Sequence, residues 1–303
     1  MHMIRTALAV LLIAASAAAQ EGALDVLDGE TLYDGGWLFS TGLELERQAG
    51  LLHGNNSVSD PLDRERMDRS LTLSAHYGIR HDVQVSLLAP YVQRTLTLDD
   101  PTGPDRLSSS GLGDVTAVAK WRFYRWDAPG VALNVAAIGG LDVPTGATDE
   151  RDHGAMLPPD LQPGSGSWDP FIGLAATHEP GRWRFNAFVL YRHNGQGARD
   201  FSFGDEFFAE ISAGNRFWLE PYPGPFMRLD VMLRYRFAGR ASDGGSLVHD
   251  SGGELMTIAA NLAFRPQPPL DFQLAIEVPI LQDVKGFQLE QDYTVFFAFG
   301  YRI

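Results

Sequence analysis

The sequence predicts an all-β protein, an antiparallel up-and-down transmembrane β-barrel of about twelve strands. Three observations predict it. After residue 36 the chain reads as about twelve segments in which apolar and polar residues alternate with period two. The connections between them alternate between short turns and long polar loops, the mark of a sheet threaded through a membrane. No segment after the N-terminal apolar run reaches the about 18–20 apolar residues that a spanning helix needs. A membrane chain of this kind must close its sheet, because lipid cannot hydrogen-bond an exposed strand edge.

The elements follow in order. Residues 1–19 have the form of a secretory signal peptide: Arg5 ahead of an apolar stretch from Ala7 to Ala15, then the small residues Ser16-Ala17-Ala18-Ala19 before Gln20. That stretch is too short to span a bilayer, so cleavage is expected. Residues 20–36 are read as a leader or a small plug, and residues 37–303 as the barrel. The strands fall at about residues 37–46, 70–80, 83–96, 112–125, 131–143, 169–177, 183–192, 205–219, 226–237, 255–265, 270–280 and 292–303. Short turns rich in Pro, Gly and Asp follow the even-numbered strands, at 81–82, 126–129, 179–181, 220–224 and 267–269. Long connections follow the odd-numbered ones, at 49–68, 99–110, 144–167, 193–204 and 239–252, with a moderate one at 282–291. An exported chain starts in the periplasm, which places the short turns there and the long loops outside.

Alternation assigns the faces. In the ninth strand Met227, Leu229, Val231, Leu233, Tyr235 and Phe237 face lipid, leaving Arg228, Asp230, Arg234 and Arg236 for the lumen. In the fourth, Val115, Ala117, Ala119, Trp121 and Phe123 face out, while Asp114, Lys120 and Arg122 face in. In the twelfth, Tyr293, Val295, Phe297, Phe299, Tyr301 and Ile303 share the outer face. Trp37, Trp121, Trp126, Trp183, Trp218, Tyr222 and Tyr301 at segment ends fit an interfacial girdle. Prolines 90, 144 and 279 stand near the far ends of three similar outgoing segments, where a bulge or a strand end tolerates a missing N–H.

Composition narrows the function. The formal charge of −14 argues against nucleic acid as a partner. The chain has no cysteine, so no disulfide or thiolate metal site holds it together. The candidate functional residues are the lumen charges: Lys120, Arg122, Arg184, Arg192, Glu210, Arg216, Arg228, Asp230, Arg234 and Arg236, with Glu206 and Asp114 among them. One reading is a constriction whose guanidinium groups orient anionic or phenolic solutes. The other is a salt-bridged lumen that only fills and stiffens a small barrel. Acidic loop clusters at Asp60, Asp63, Glu65 and Asp68, at Asp99, Asp100 and Asp105, and at Asp149, Glu150 and Asp152 lack ordered ligand spacing and are read as solvated charge, with no metal or cofactor expected. For a membrane hydrolase the one local candidate is His193-Asn194-Gly195 beside Ser202, without an evident orienting acid, and no enzyme is expected.

Several segments resemble one bacterial outer-membrane family, that of the MetA pathway of phenol degradation. They are GLGDVTAVAKWRFYR at 111–125, VPTGAT at 143–148, GSGSWDPFIGLAATH at 164–178, YRHNGQ…GDEF within 191–207, and the terminal run from Val278 to Ile303. The resemblance implies an outer-membrane barrel with a role in uptake of small solutes, often aromatic or apolar. Outer-membrane lipid, an unidentified solute and the barrel-assembly machinery are its expected partners. The chain departs from many barrels in ending Tyr301-Arg302-Ile303 without a final Phe or Trp, which bears on assembly more than on fold. A non-conducting structural barrel and an outer-membrane hydrolase are the rival readings.

Overall fold

The computed structural model describes residues 26–99 and 106–303. The signal-peptide reading, residues 20–25 of the leader, Asp100 and Asp105 lie outside the described residues. The wall is β1 (Trp37–Gly54), β2 (Glu65–Arg80), β3 (Val83–Thr97), β4 in two pieces (Arg106–Leu112 and Val115–Ala128), β5 (Val131–Val143), β6 (Asp169–Pro180), β7 (Trp183–Arg192), β8 (Glu206–Leu219), β9 (Phe226–Ala238) and β10 (Gly253–Gln267). The last element, Leu270–Arg302, pairs with β10 from Leu270 to Val284 and with β1 from Val284 to Arg302. It folds back on itself: Phe272 packs at a tilt against Phe299 with ring centroids 5.2 Å apart, and Asp271 pairs with Arg302 at 3.2 Å. Its two limbs are β11 and β12, so the wall crosses twelve times.

Every neighbouring pair is antiparallel, and pairing of β12 with β1, from Arg302 against Leu38 upward, closes the sheet. Closure removes the strand edges that lipid could not satisfy. A tilted strand needs about 9–11 residues to cross a bilayer. β1 has 18, β2 has 16 and β3 has 15, so on that side the wall stands well beyond the apolar band. The expected loop at 49–68 is correspondingly shorter, and the one at 99–110 gives up residues 106–110 to β4.

The moderate loop expected at 282–291 is also corrected. The ladder runs almost to the tip, where Gly286 takes φ +74°, a conformation that favours a residue without Cβ. Gln282 Nε2 donates to the Gln291 carbonyl and Gln291 N–H donates to Gln282 Oε1, each at 2.9 Å, so the two side chains zip the limbs together. The prolines find the tolerant positions. Pro90 lies opposite the interruption of β4 at Gly113 and Asp114, where Gly113 N–H donates to the Pro90 carbonyl at 2.8 Å. Pro279 sits where the β10–β11 register slips, and Pro144 just past the end of β5.

The faces are inverted relative to a water-soluble barrel. Ile172, Leu174, Ile211, Leu229, Val231, Leu274 and Ile276 are exposed on the outer wall, while Thr72, Ser74, His76, Gln84 and Thr116 are buried inside. His76 Nδ1 lies 2.8 Å from Ser86 Oγ, and its Nε2 lies 3.1 Å from Ser74 Oγ. All seven girdle aromatics read from the sequence are exposed at the short-turn end. There Trp37 stacks on Phe39 and packs against Tyr77 with centroids 5.5 and 4.7 Å away. Trp168, Tyr91 and Tyr191 are exposed toward the long-loop end.

Candidate functional site: the lumen

Two segments enter the lumen from opposite ends. From the short-turn side, residues 26–36 thread inward. Leu32 N–H donates to Gln84 Oε1 at 3.0 Å, and Gly29 N–H donates to Thr177 Oγ at 2.9 Å. A Cβ on Gly29 would lie 2.5 Å from the Asn134 carbonyl oxygen and 2.7 Å from the Thr177 nitrogen, so only glycine passes this close to the wall. Asp28 is held on both sides, by Lys120 Nζ at 2.7 Å and by Arg184 Nη2 at 2.9 Å. Val26 joins Leu88, Val118, Ile138, Phe171, Ala175 and Leu190 in an apolar cluster that fills the β3–β7 side of the lumen.

From the outer side, the loop 144–168 folds into the mouth. Leu157 and Leu161 pack with Leu96, Leu107 and Leu289. Asp160 accepts from Arg66 Nη1 at 3.1 Å, and its carbonyl accepts from Arg66 Nη2 and Arg94 Nη1 at 3.0 and 3.1 Å. The loop is tied down by the residues of the family-like motifs. Asp114, at the interruption of β4, accepts from Gly146 N–H at 2.9 Å and from the Ser165 N–H and hydroxyl at 2.7 Å each. Asp169 accepts from the Ser167 hydroxyl at 3.0 Å and from Gly195 N–H at 2.8 Å, which anchors the start of the loop after β7. Sequence reasoning placed Asp114 in the lumen and missed this role. The signal was the recurrence of Gly, Ser and Asp in two motifs far apart in the chain.

This docking has a pH dependence. Burial pushes the Asp160 carboxyl up to about 6, against the pull of Arg66 and Arg94. In a loop free in water it would return to about 3.9. The docked loop therefore holds a proton that the free loop sheds. Docking is strongest below about pH 4 and weakens as pH rises toward 6, above which it stays constant. The chain has no cysteine, so Arg151→Cys offers a single labelling site on this loop. A fluorophore there should be less open to iodide quenching at pH 4.5 than at pH 7.5; equal quenching, or the reverse order, would refute the coupling.

The arginines read from the sequence are inside and paired. Arg192, fully buried, lies 3.1 Å from Glu206 and 3.4 Å from Asp142. Arg184 meets Asp28, Glu30 and Glu179 at 2.9, 2.7 and 2.8 Å. Arg216 shares Glu179 with it. Arg228 binds Asp230 at 2.7 Å, Arg234 binds Glu210 at 2.6 Å and Glu277 at 2.5 Å, and Arg236 binds Glu206 at 2.5 Å. Each of these guanidinium groups holds a carboxylate, which is the arrangement of a salt-bridged lumen. Arg122 stays out of this group. It stands at the short-turn end beside a bulge between Trp121 and Tyr124, donating to the His81 carbonyl and to Asn134 Oδ1 inside the lumen.

A cavity of about 210 Å³ remains beside the N-terminal segment, on the side of the lumen bounded by β7 to β12 and β1. Phe208, Met232 and Phe296 line it together with charged side chains from Asp28 near the short turns to Arg236 near the mouth.

The outer loops change two smaller expectations. In the first acidic cluster Asp63 is exposed, but the Asp60 carboxylate is buried against Arg64. Burial alone would raise its carboxyl, but the Arg64 guanidinium and the N–H groups of Arg64 and Leu62 outweigh it and hold it below the usual range. Glu65 and Asp68 likewise bind Arg47 and Arg66, and Asp152 accepts from Ser108 N–H at 2.8 Å. His193 does have an acidic partner, Asp205 Oδ1 at 2.9 Å from Nδ1. The same carboxylate accepts from the Tyr191 hydroxyl and Asn194 N–H, and among the described residues no serine hydroxyl bonds His193. These bonds anchor the loop after β7.

Comparison with known proteins places this architecture. The sequence profile of the family described as "Putative MetA-pathway of phenol degradation" matches residues 67–245. Among solved structures, an outer membrane channel from Pseudomonas putida F1 superposes with a TM-score of 0.70 at 15% identity, over 93% of this chain and 100% of that one. The β-domain of the autotransporter BrkA from Bordetella gives a TM-score of 0.49 at 10% identity, over 89% of this chain and 100% of that one. No curated protein matches the sequence.

Proposed function

The chain belongs to the family of the MetA pathway of phenol degradation, and from that premise we propose that it is a bacterial outer-membrane channel for small solutes, aromatic and apolar ones among them. It reaches that membrane after loss of residues 1–19, is inserted by the barrel-assembly machinery, and carries outer-membrane lipid on its apolar wall. The observation that carries the reading is the cavity of about 210 Å³, left open along the lumen of a closed barrel between charged and aromatic side chains. Its size suits a small solute, being below the about 300 Å³ at which pockets for drug-sized ligands begin. The channel performs no chemical step. Solutes move down their gradient, and the segments at 26–36 and 144–168 set the rate by narrowing both ends.

Single-channel recording of the folded mature protein in a planar bilayer tests this. Small, stable conductance steps are expected. Arg234→Ala should shift selectivity toward cations, because Glu210 and Glu277 are then left uncompensated, and Arg236→Ala should do so less, because Glu206 keeps Arg192. A folded barrel without steps would support the rival reading, a structural barrel, which the pairing of the lumen arginines favours.

A further inference from the structure

We propose that the lumen cavity is a binding site for a small organic cation, an ammonium group carried on an apolar or aromatic body. This deepens the channel reading by naming the solute class. Six carboxylates line the cavity against four guanidinium groups. The guanidinium groups are committed: Arg234 to Glu210 and Glu277, Arg228 to Asp230, Arg236 to Glu206 and Arg184 to Asp28. Each guanidinium thus already carries a carboxylate, and an anion entering the cavity meets an excess of negative charge. Glu46 stands differently. Gln48 Nε2 donates to it at 2.5 Å, and among the described residues it forms no ion pair.

A second observation, independent of the acid count, points the same way. Thr257 Oγ1 and Asn261 Oδ1 line the same cavity, belong to residues 2% and 5% exposed, and have no hydrogen-bond partner among the described residues. Buried polar atoms without partners are costly, so a site that leaves acceptors open is one that a donor fills. An ammonium group brings a positive charge and three donors and no acceptor. The charge suits the acidic lining and the N–H donors suit the open acceptors, whereas a carboxylate brings neither. Phe208, Phe296 and Met232 on the same walls supply apolar surface for the rest of the molecule.

The test is calorimetric titration of the folded barrel in detergent with benzylammonium, and with benzoate as the anion of similar shape. Saturable binding of benzylammonium and none of benzoate is expected. Glu46→Gln, which keeps shape and removes charge, should weaken binding on the order of tenfold. Thr257→Val should weaken it severalfold, and carries the test if Glu46→Gln fails to show the gel shift of a folded barrel. No saturable binding of benzylammonium, tighter binding of benzoate, or wild-type affinity in the folded variants would overturn the proposal. Because binding is read without current, the two readings can fail separately. A barrel that binds benzylammonium and never conducts keeps this site and loses the channel. One that conducts without binding it keeps the channel and loses the site.

Discussion

Arg192→Met is expected to destabilise the folded barrel by about 3–5 kcal/mol, the usual effect of breaking a buried ion pair from one side. The side chain has no exposed surface and bridges two strands, with Glu206 of β8 at 3.1 Å and Asp142 of β5 at 3.4 Å. Its guanidinium also lies 6.0 Å from the Phe171 ring centroid and 5.7 Å from that of Phe208. Methionine keeps the apolar contact and removes the charge. Glu206 retains Arg236, whereas Asp142, 7% exposed, keeps the Thr116 hydroxyl at 2.5 Å as its hydrogen bond and loses its cation. Asp142→Asn in the same protein should therefore recover part of the loss, since it removes the orphaned charge. Denaturant unfolding of the barrel in detergent, followed by tryptophan fluorescence, measures both. A single variant within 1 kcal/mol of wild type would show that the pair contributes little.

Detaching the N-terminal segment should give the largest functional change, a severalfold rise in single-channel conductance. Two substitutions reach that state by different routes. Asp28→Ala removes the carboxylate that Lys120 and Arg184 grip from opposite sides, leaving only Glu30 to hold the segment to Arg184. Gly29→Val places a side chain against the wall where even a Cβ would lie 2.5 Å from the Asn134 carbonyl. That atom belongs to β5, paired on both sides, so the segment rather than the wall must yield. Agreement between an electrostatic and a steric variant would assign the effect to the segment itself. If both fold and conduct as wild type does, residues 26–36 do not limit the passage.

Much of the wall was legible in the sequence. The outer faces of β9 and β12 were read correctly from alternation alone, because each face of a membrane barrel meets a single environment. The girdle tryptophans were legible for the same reason. The errors lay where alternation stops. The run QDVKGFQLEQ at 282–291 looked like a loop because it is polar, yet it forms the top of a hairpin standing clear of the lipid, where polar residues suit both faces. The bulge that shifts the β4–β5 register by a residue beside Arg122 has no local mark in the sequence.

The charges were legible as lumen residues and illegible as pairs. Asp28 and Lys120 are 92 residues apart, and Arg184 and Asp28 are 156 apart. The sequence by itself determined the class of fold, the order and direction of the strands and which side chains face lipid. These follow from period-two geometry and from the requirement that every backbone group find a partner in a medium that offers none. Only the tertiary structure decided what the lumen holds: the two segments that enter it, the carboxylate assigned to each arginine, and the acceptors left open. The reason is physical. A strand's facing depends on its own residues and the solvent beside it, whereas a contact across the lumen depends on register and closure around the whole barrel, which no single strand encodes.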